Sequence, residues 1–281
     1  MPTILSSLAG AVLALGTAFA LGVAVLRRRE APFEIALAVG AVVESAIVFA
    51  LLLAGVARWE AFAGLALAAA VIAWRTGWRR VARQWEWPWW GWGILGAYGV
   101  WYLVNALAPE ITPDGITYHL GLPREYVRLG GFPERAAFFD LVPQGMEMLY
   151  TVAYAFGRHA AAKLVEFAFF AAGLPLIVRL GRRLGLSGAA SLVVAVFYFS
   201  APVMGITGAS SYNDAAGVFF LLAALDRLLE ERWMEAGLCA GFCYAIKMPG
   251  LLVAACAVAW LLGRRRWRPA AMVAMCAAAA I

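Results

Sequence analysis

Charged side chains are scarce in this sequence of 281 residues, where Asp, Glu, Lys and Arg together make up 14%. A soluble domain carries about 25% of these residues. Hydrophobic residues make up 64%, and the mean hydropathy is +0.79. The charges also occur in clusters that long apolar runs separate. This composition excludes a water-soluble core and predicts a polytopic integral membrane protein.

The sequence also lacks the alternation of polar and apolar residues that indicates β-strands, so a membrane-spanning barrel is not expected. The apolar runs instead meet or approach the roughly 20 residues that an α-helix needs to cross the hydrocarbon layer. The clearest runs cover residues 4–26, 35–56, 89–108, 186–206 and 215–229. The predicted fold class is therefore all-α, a polytopic bundle of transmembrane helices.

Nucleic-acid binding and a cysteine-based metal site are both disfavoured. The net charge is +6, but the arginines lie at the ends of apolar runs, where they indicate orientation rather than contact with phosphates. The four cysteines all lie within apolar segments. Cys239 and Cys243 share a helix face, yet no His or carboxylate joins them. We therefore expect buried thiols that act as small hydrophobic groups.

Four arginine clusters predict the orientation in the membrane, because cytoplasmic loops carry an excess of basic residues. The clusters are Arg27, Arg28 and Arg29; Arg75, Arg79, Arg80 and Arg83; Arg179, Arg182 and Arg183; and Arg264, Arg265, Arg266 and Arg268. Placing all of them in the cytoplasm puts the N-terminus and residues 109–142 outside. The expected location is the inner cell membrane, with the functional face on the extracytoplasmic side.

Two interrupted segments complete the predicted path of the chain through the membrane. This path has about ten crossings, an outer-face loop and interfacial helices. Residues 143–156 would form a helix of about 21 Å, too short for a core of about 30 Å. We expect them to lie in the outer interface, while residues 160–178 cross. A Pro-Gly pair interrupts the run 236–262, which predicts a hairpin of short helices with Lys247 at the outer turn. The alternative is one long helix with Lys247 buried.

The densest group of ionisable residues lies in the predicted outer loop, and loops on a rigid scaffold often hold functional sites. Glu110 and Asp114 are four residues apart, as are Asp114 and Tyr118, and His119 follows. A partly desolvated carboxylate at a membrane surface can take a proton from a hydroxyl or amine nucleophile. The alternative is a hydrated loop whose charges face water.

A second polar group, Tyr212, Asn213 and Asp214, lies at the head of an apolar run. Taken alone, Asp214 is explained by a helix N-cap. The predicted path through the membrane nevertheless places Asp114, Asp214 and Lys247 at the same membrane face, where a lysine can bind the phosphate of a lipid headgroup. The alternative for Lys247 is an interfacial lysine that extends its ammonium group to water.

Two further carboxylates lie within apolar segments, where ionisable groups are functional candidates by default. Glu44 lies inside the second apolar run and is expected to be structural, paired with Ser45 or with a neighbouring helix. Glu147 lies near the proposed outer site and is the better functional candidate.

Several short motifs occur in an order that is typical of one known family. They are Asp114-Gly-Ile-Thr-Tyr118-His119-Leu120 followed by Pro123 and Tyr126-Val-Arg-Leu-Gly-Gly131, then Glu147-Met-Leu-Tyr150, then Ser211-Tyr212-Asn213-Asp214, and finally Gly237 and Gly241 before Lys247. This order resembles that of C-type glycosyltransferases (the GT-C fold). The likeness is to the bacterial branch near the protein mannosyltransferases and aminoarabinose transferases (family 39-like), and it covers residues 89–268.

The resemblance implies transfer of a sugar from a polyprenyl-phosphate donor in the membrane lipid to an acceptor glycan, lipid or protein on the outer face. It implies that Asp114 is the catalytic base, that Asp214 assists it, and that Lys247 steadies the leaving phosphate. The other residues expected to bind substrate are Glu110, Tyr118, His119, Glu147 and Tyr212. No cofactor is expected; a divalent metal is possible, because metal use differs among branches, but no ligand cluster in the sequence supports one.

The domain assignment follows the same resemblance. Residues 1–84 are an N-terminal transmembrane extension, and residues 85–281 are a GT-C-like catalytic module that is expected to be C-terminally incomplete. Two other classes remain open. A transporter or flippase for a lipid-linked sugar predicts charges that line a path near the middle of the bilayer, and a non-catalytic membrane scaffold predicts no turnover.

Overall fold

The computed structural model describes residues 3–27, 31–76, 88–134 and 137–281, and these residues form helices and connecting loops with no β-strand. The α-helices are α1 (Ile4–Leu26), α2 (Phe33–Leu53), α3 (Trp59–Thr76), α4 (Trp89–Leu107), α5 (Gly121–Leu129), α6 (Gly145–Arg183), α7 (Gly188–Ser200), α8 (Pro202–Gly208), α9 (Asp214–Leu229), α10 (Trp233–Ile246), α11 (Leu251–Gly263) and α12 (Trp267–Ala279). The all-α fold class is therefore confirmed.

Three helices, α1, α2 and α6, are long and apolar enough to cross a membrane, and α7 with α8 would make a fourth if this bent pair counts as one span. The prediction of about ten crossings is not confirmed by length and composition in the described part of the chain. Large apolar side chains also lie exposed on the outside of the bundle, among them Val100, Trp101 and Val104 of α4. An exposed apolar surface of this kind is compatible with contact with lipid.

The predicted run 186–206 is not one straight helix. It divides at Ala201, which is extended (φ −63°, ψ 124°), and the axes of α7 and α8 differ by 66°. Pro202 explains the division, because its ring lacks an N–H group and disfavours helical backbone at the preceding residue.

Helix α6 folds back on itself at Arg158, whose φ of 60° and ψ of −147° interrupt the helical backbone. The hydroxyl of Tyr150 donates to Glu166 over 2.7 Å, although sixteen residues of straight helix would separate them by about 24 Å. We call residues 145–157 the first arm and residues 159–183 the second arm. The break agrees with the predicted separation of 143–156 from 160–178.

The first arm is buried inside the bundle; its predicted position in the outer membrane interface stays a prediction. Every residue from Gly145 to Tyr154 is buried. The hydroxyl of Ser45 on α2 donates to the carbonyl of Gly145 over 3.0 Å, and a Cβ atom on Gly145 would lie 2.9 Å from the carbonyl oxygen of Ala245 on α10. The arm is therefore enclosed by other helices.

Helices α10 and α11 form the predicted hairpin, with Lys247 at the turn. A short 3₁₀ segment, Met248–Gly250, joins them. A Cβ atom on Gly250 would lie only 2.0 Å from the carbonyl oxygen of Cys243, so the chain reverses there and glycine is required for the close approach. The alternative of one long helix with Lys247 buried is excluded.

Helices α1 and α2 approach each other through glycines. A Cβ atom on Gly22 would lie 1.7 Å from the carbonyl oxygen of Ala36, and one on Gly40 would lie 1.6 Å from that of Ala18. Both helices share one hydrophobic core with α6, α9 and α10. Residues of the proposed N-terminal extension thus pack into the same core as the proposed catalytic module, while the boundary between 84 and 85 lies outside the described residues.

A network of ion pairs joins α2, α6, α9 and α10 at one end of the bundle, which we call the arginine end. Arg179 lies 2.7 Å from Glu34 and 3.0 Å from Asp226, and Arg227 pairs with Asp226 and with Glu230. Asp226 and Arg227 are 0% and 2% exposed. Buried charges of this kind are costly unless they are paired, so the network fixes the register of the four helices. We call the opposite end, which carries residues 108–121, the loop end.

The glycine contact between α1 and α2 gives a direct test of the packing. We expect Gly22→Ala to lower the free energy of unfolding by at least about 2 kcal/mol, because the methyl group would push the two backbones apart. Unfolding in mixed detergent micelles measures this change. The matched control is Gly16→Ala in the same helix, where a Cβ atom would meet nothing within 4 Å. Equal stability of the two variants would contradict the close approach.

Candidate active site

A π-helix at Gly115–His119 begins the loop-end site. Its first residue must be small, since a Cβ atom on Gly115 would lie 2.5 Å from Thr112 Oγ1 and 2.7 Å from Ser211 Oγ. The wider turn sets Tyr118 and His119 beside the first arm of α6 and the start of α9. π-helical turns occur frequently at functional sites.

Glu110 fastens this loop to the segment before α9. Its Oε1 accepts hydrogen bonds from the Ile111 amide, the Thr112 amide and the Thr112 hydroxyl, and its Oε2 accepts from the Ser211 amide and hydroxyl, all at 2.8–3.1 Å. Burial raises the pKa of Glu110, but these hydrogen bonds and the charge of Lys163 outweigh burial and lower it. Both oxygens accept hydrogen bonds, so Glu110 holds the loop in place; its predicted role in binding substrate stays a prediction.

His119, Glu147 and Asn213 form a buried polar group beneath the loop. His119 Nδ1 and Glu147 Oε1 are 2.6 Å apart, and the Asn213 amide donates to the same carboxylate oxygen over 3.2 Å. The three residues are 1%, 1% and 2% exposed. Each keeps one polar atom without a hydrogen-bond partner: His119 Nε2, Glu147 Oε2 and Asn213 Oδ1. Buried polar atoms without a hydrogen-bond partner are costly, so this polar group is not explained by packing alone.

Asp214 and Lys247 form an ion pair on the surface above this group, and both side chains are 44% exposed. Asp214 is not the N-cap of α9: Asn213 occupies the cap position without a side-chain cap bond. The amide of Ala216 in the first turn donates instead to Glu166 over 2.9 Å. Because Glu166 serves the helix N-terminus, Asp214 is available to pair with Lys247, which corrects the N-cap interpretation.

Tyr118 lies among the acidic residues of the site. Burial, and then the negative charges of Asp114, Glu147 and Asp214, raise the pKa of Tyr118 to about 12. The phenol is therefore protonated at neutral pH and available as a hydrogen-bond donor. Its ring stacks on Phe139, with centroids 4.5 Å apart.

The structure thus brings the predicted residues to one end of the bundle. Asp114 is exposed beside Tyr118, and the ring of Tyr212 meets His119 edge-on at 6.0 Å. No described side chain hydrogen-bonds or ion-pairs with Asp114, which leaves this carboxylate open to solvent. The arginine network lies about 18 Å away, given the twelve residues of α9 between Asp214 and Asp226.

An open cavity of about 500 Å³ borders the turn between α10 and α11, although the side chain of Lys247 does not line it. Tyr244, Ala245 and Met248 form its wall next to the lysine, and apolar side chains of α2, including Phe49, form the opposite wall. Its lining also includes the polar residues Ser45, Asp140 and Gln144, and a pocket with both apolar and polar walls suits an amphipathic ligand.

Sequence reasoning missed two charged residues of the second arm, because the run 160–178 was read as apolar. Glu166, on the second arm, accepts a hydrogen bond from Tyr150 on the first arm and another from the Ala216 amide of α9. Lys163 is 4% exposed and donates to the carbonyls of Asn105 and Ala108 at the end of α4, over 2.9 and 3.0 Å. The available signal was the presence of ionisable residues inside an apolar segment.

Glu44 also differs from expectation. Ser45 donates to Gly145 rather than to Glu44, and neither carboxyl oxygen of the fully buried Glu44 has a partner. The pairing that we predicted for it is therefore wrong. The cysteines are free, and Cys239 and Cys243 are buried. No group of three or more His, Cys, Asp or Glu side chains in the described ranges could hold a metal ion.

No family model, no curated protein and no solved structure matches this chain.

The Glu110 hydrogen bonds predict a local loss of order when the carboxylate is removed. We expect Glu110→Ala to destabilise the chain by about 3 kcal/mol, because several donors lose a charged acceptor. Hydrogen–deuterium exchange should then increase at residues 110–116 and 210–213. Since the pKa of Glu110 is lowered, its contribution is present above the unfolded pKa and is lost as the pH falls through the folded value. Glu134→Ala, at an exposed carboxylate outside the site, is the control and should change neither region.

Proposed function

We propose that the chain is a membrane glycosyltransferase that moves a sugar from a polyprenyl-phosphate donor to an acceptor on the extracytoplasmic side of the cell membrane. The observation that carries the proposal is the group of charged residues at the loop-end site. An exposed carboxylate, Asp114, and the Asp214–Lys247 ion pair lie there around Tyr118, and a partly apolar cavity borders the turn that carries Lys247. A transferase of this kind needs a base for its acceptor and a cation for its leaving phosphate.

In the proposed reaction, Asp114 takes the proton from the acceptor hydroxyl, and the hydroxyl oxygen forms a bond to the anomeric carbon of the sugar. The bond between that carbon and the phosphate oxygen breaks. Polyprenyl phosphate leaves with the electron pair, and the ammonium group of Lys247 stabilises its charge. Attack opposite the leaving group inverts the anomeric carbon.

Lys247 is paired with Asp214 before any donor binds, so the donor phosphate has to take the place of Asp214 on the ammonium group. The displaced carboxylate then lies free beside Asp114 and assists at the acceptor. Tyr118 donates a hydrogen bond to the substrate, and Tyr212 and His119 shape the pocket. The prenyl chain occupies the cavity that borders the turn carrying Lys247, so the phosphate and the chain lie in adjacent compartments of one site.

The orientation in the membrane follows from the separation of charges. Arg179, Arg183 and Arg227 lie at the arginine end, and the Asp214–Lys247 pair lies at the other. Basic residues favour the cytoplasmic side, which supports an extracytoplasmic position for the loop end. The proposal needs no cofactor.

The first test removes the base without changing its shape. We expect Asp114→Asn to reduce release of polyprenyl phosphate from a polyprenyl-phosphate sugar by about 10²–10⁴, while donor affinity is unchanged. The assay uses purified protein with a panel of donors and membrane extract as the source of acceptor. Glu134→Gln is the control. Full turnover in Asp114→Asn would exclude the assigned base, and transport of intact donor across vesicles without release of phosphate would support a flippase instead.

The second test separates binding from turnover. Asp214→Asn frees the ammonium group from its competing carboxylate, so we expect polyprenyl phosphate to bind about tenfold more tightly, the worth of one charge-assisted hydrogen bond. Turnover should nevertheless fall. Lys247→Gln should weaken both binding and turnover. If the two variants lost binding equally, the ion pair would be a structural contact and the phosphate site would lie elsewhere.

A further inference from the structure

Two open cavities at the arginine end lie side by side along α9 and α11. The first, of about 610 Å³, is lined by Leu228, Leu229, Glu231, Trp260, Arg264 and Arg266. The second, of about 520 Å³, lies between α9 and α11 and has an almost wholly apolar lining. Leu228, Leu229 and Trp260 border both cavities, so the two cavities adjoin each other. We call the pair the α9–α11 groove.

The mouth of the groove is cationic. The guanidinium carbon of Arg264 lies 4.4 Å from the ring centroid of Trp260, and that of Arg266 lies 5.3 Å from that of Trp233. Arg266 also pairs with Glu231 at 2.5 Å. Within the part of the chain that the structure describes, Arg264 has no carboxylate partner. The mouth therefore carries one positive charge that no carboxylate among the described residues neutralises.

The interior of the groove has the opposite character. Leucine, valine and alanine side chains line it, together with Cys256, and Leu252 is 67% exposed. An apolar channel that opens onto arginines beside tryptophan rings matches the two parts of a phospholipid. Hydrocarbon is favoured in the channel, and an anionic headgroup is favoured at basic pockets between membrane helices.

We propose that the α9–α11 groove binds one membrane phospholipid with an anionic headgroup. Its phosphate contacts Arg264 and Arg266, and one acyl chain lies between α9 and α11. The site is separate from the proposed active site, because Leu229 and Asp214 lie at opposite ends of α9, about 22 Å apart. The proposal does not depend on the proposed transferase activity.

The headgroup is tested by counting lipids that stay bound to the purified full chain in native mass spectrometry. We expect retention of phosphatidylglycerol over phosphatidylcholine, and a loss of about fivefold for Arg264→Gln. Glu231→Gln should change retention in the opposite direction, because it frees Arg266, and a folding defect would not produce such a gain. Arg182→Gln, which removes an exposed arginine outside the groove, is the control and should have no effect.

A bulky side chain in the interior of the α9–α11 groove tests whether the acyl chain lies there. Cys256→Phe should reduce retention of phosphatidylglycerol, whereas Ala259→Phe, at an exposed position of α11 outside the groove lining, should not. Glycerol phosphate, which carries the headgroup charge without chains, should fail to compete. Equal retention of the two lipids, or unchanged retention in Cys256→Phe, would overturn the proposal, and competition by glycerol phosphate would reassign the mouth to soluble anions.

Discussion

The carboxylate of Glu166 is the contact on which the loop-end site depends. It accepts one hydrogen bond from Tyr150, one helical turn after Glu147, and another from the amide of Ala216, two residues after Asp214. Glu166 is fully buried, and a buried carboxylate without partners is strongly disfavoured. The two segments that carry Glu147 and Asp214 are therefore held at fixed positions by one side chain, and the fold-back of α6 at Arg158 makes that contact possible.

The charged residues at the two ends of the bundle differ in burial and pairing. At the arginine end, Asp226 and Arg227 are buried and paired, so their charges contribute to the alignment of helices. At the loop end, Asp114 is open to solvent and the Asp214–Lys247 pair is half-exposed, so these groups can exchange partners with a ligand. Helix α9 spans both environments and fixes the distance between them.

Local composition determined what could be predicted. The helices follow from apolar runs, because hydrophobicity and the lack of strand alternation are properties of neighbouring residues. The turn at Lys247 was also predictable, since Pro-Gly is a local signal. The sequence predicted that Asp214 and Lys247 share one face, but not that Glu166 accepts from the N-terminus of α9, because Glu166 lies 48 residues before Asp214 in the chain. Contacts of that kind depend on how the two arms of α6 pack after the break at Arg158; the sequence predicted the break but not that packing.

The sequence contains only two lysines, Lys163 and Lys247, and the structure gives them contrasting environments. The amine of Lys163 is enclosed and bonded to two backbone carbonyls, whereas the side chain of Lys247 is 44% exposed. Acylating reagents react with accessible amines, and the guanidinium groups that supply the other basic charges are inert to them. Lys247 is therefore the one side-chain amine that such a reagent can reach, so a single chemical modification would report on the occupancy of this position.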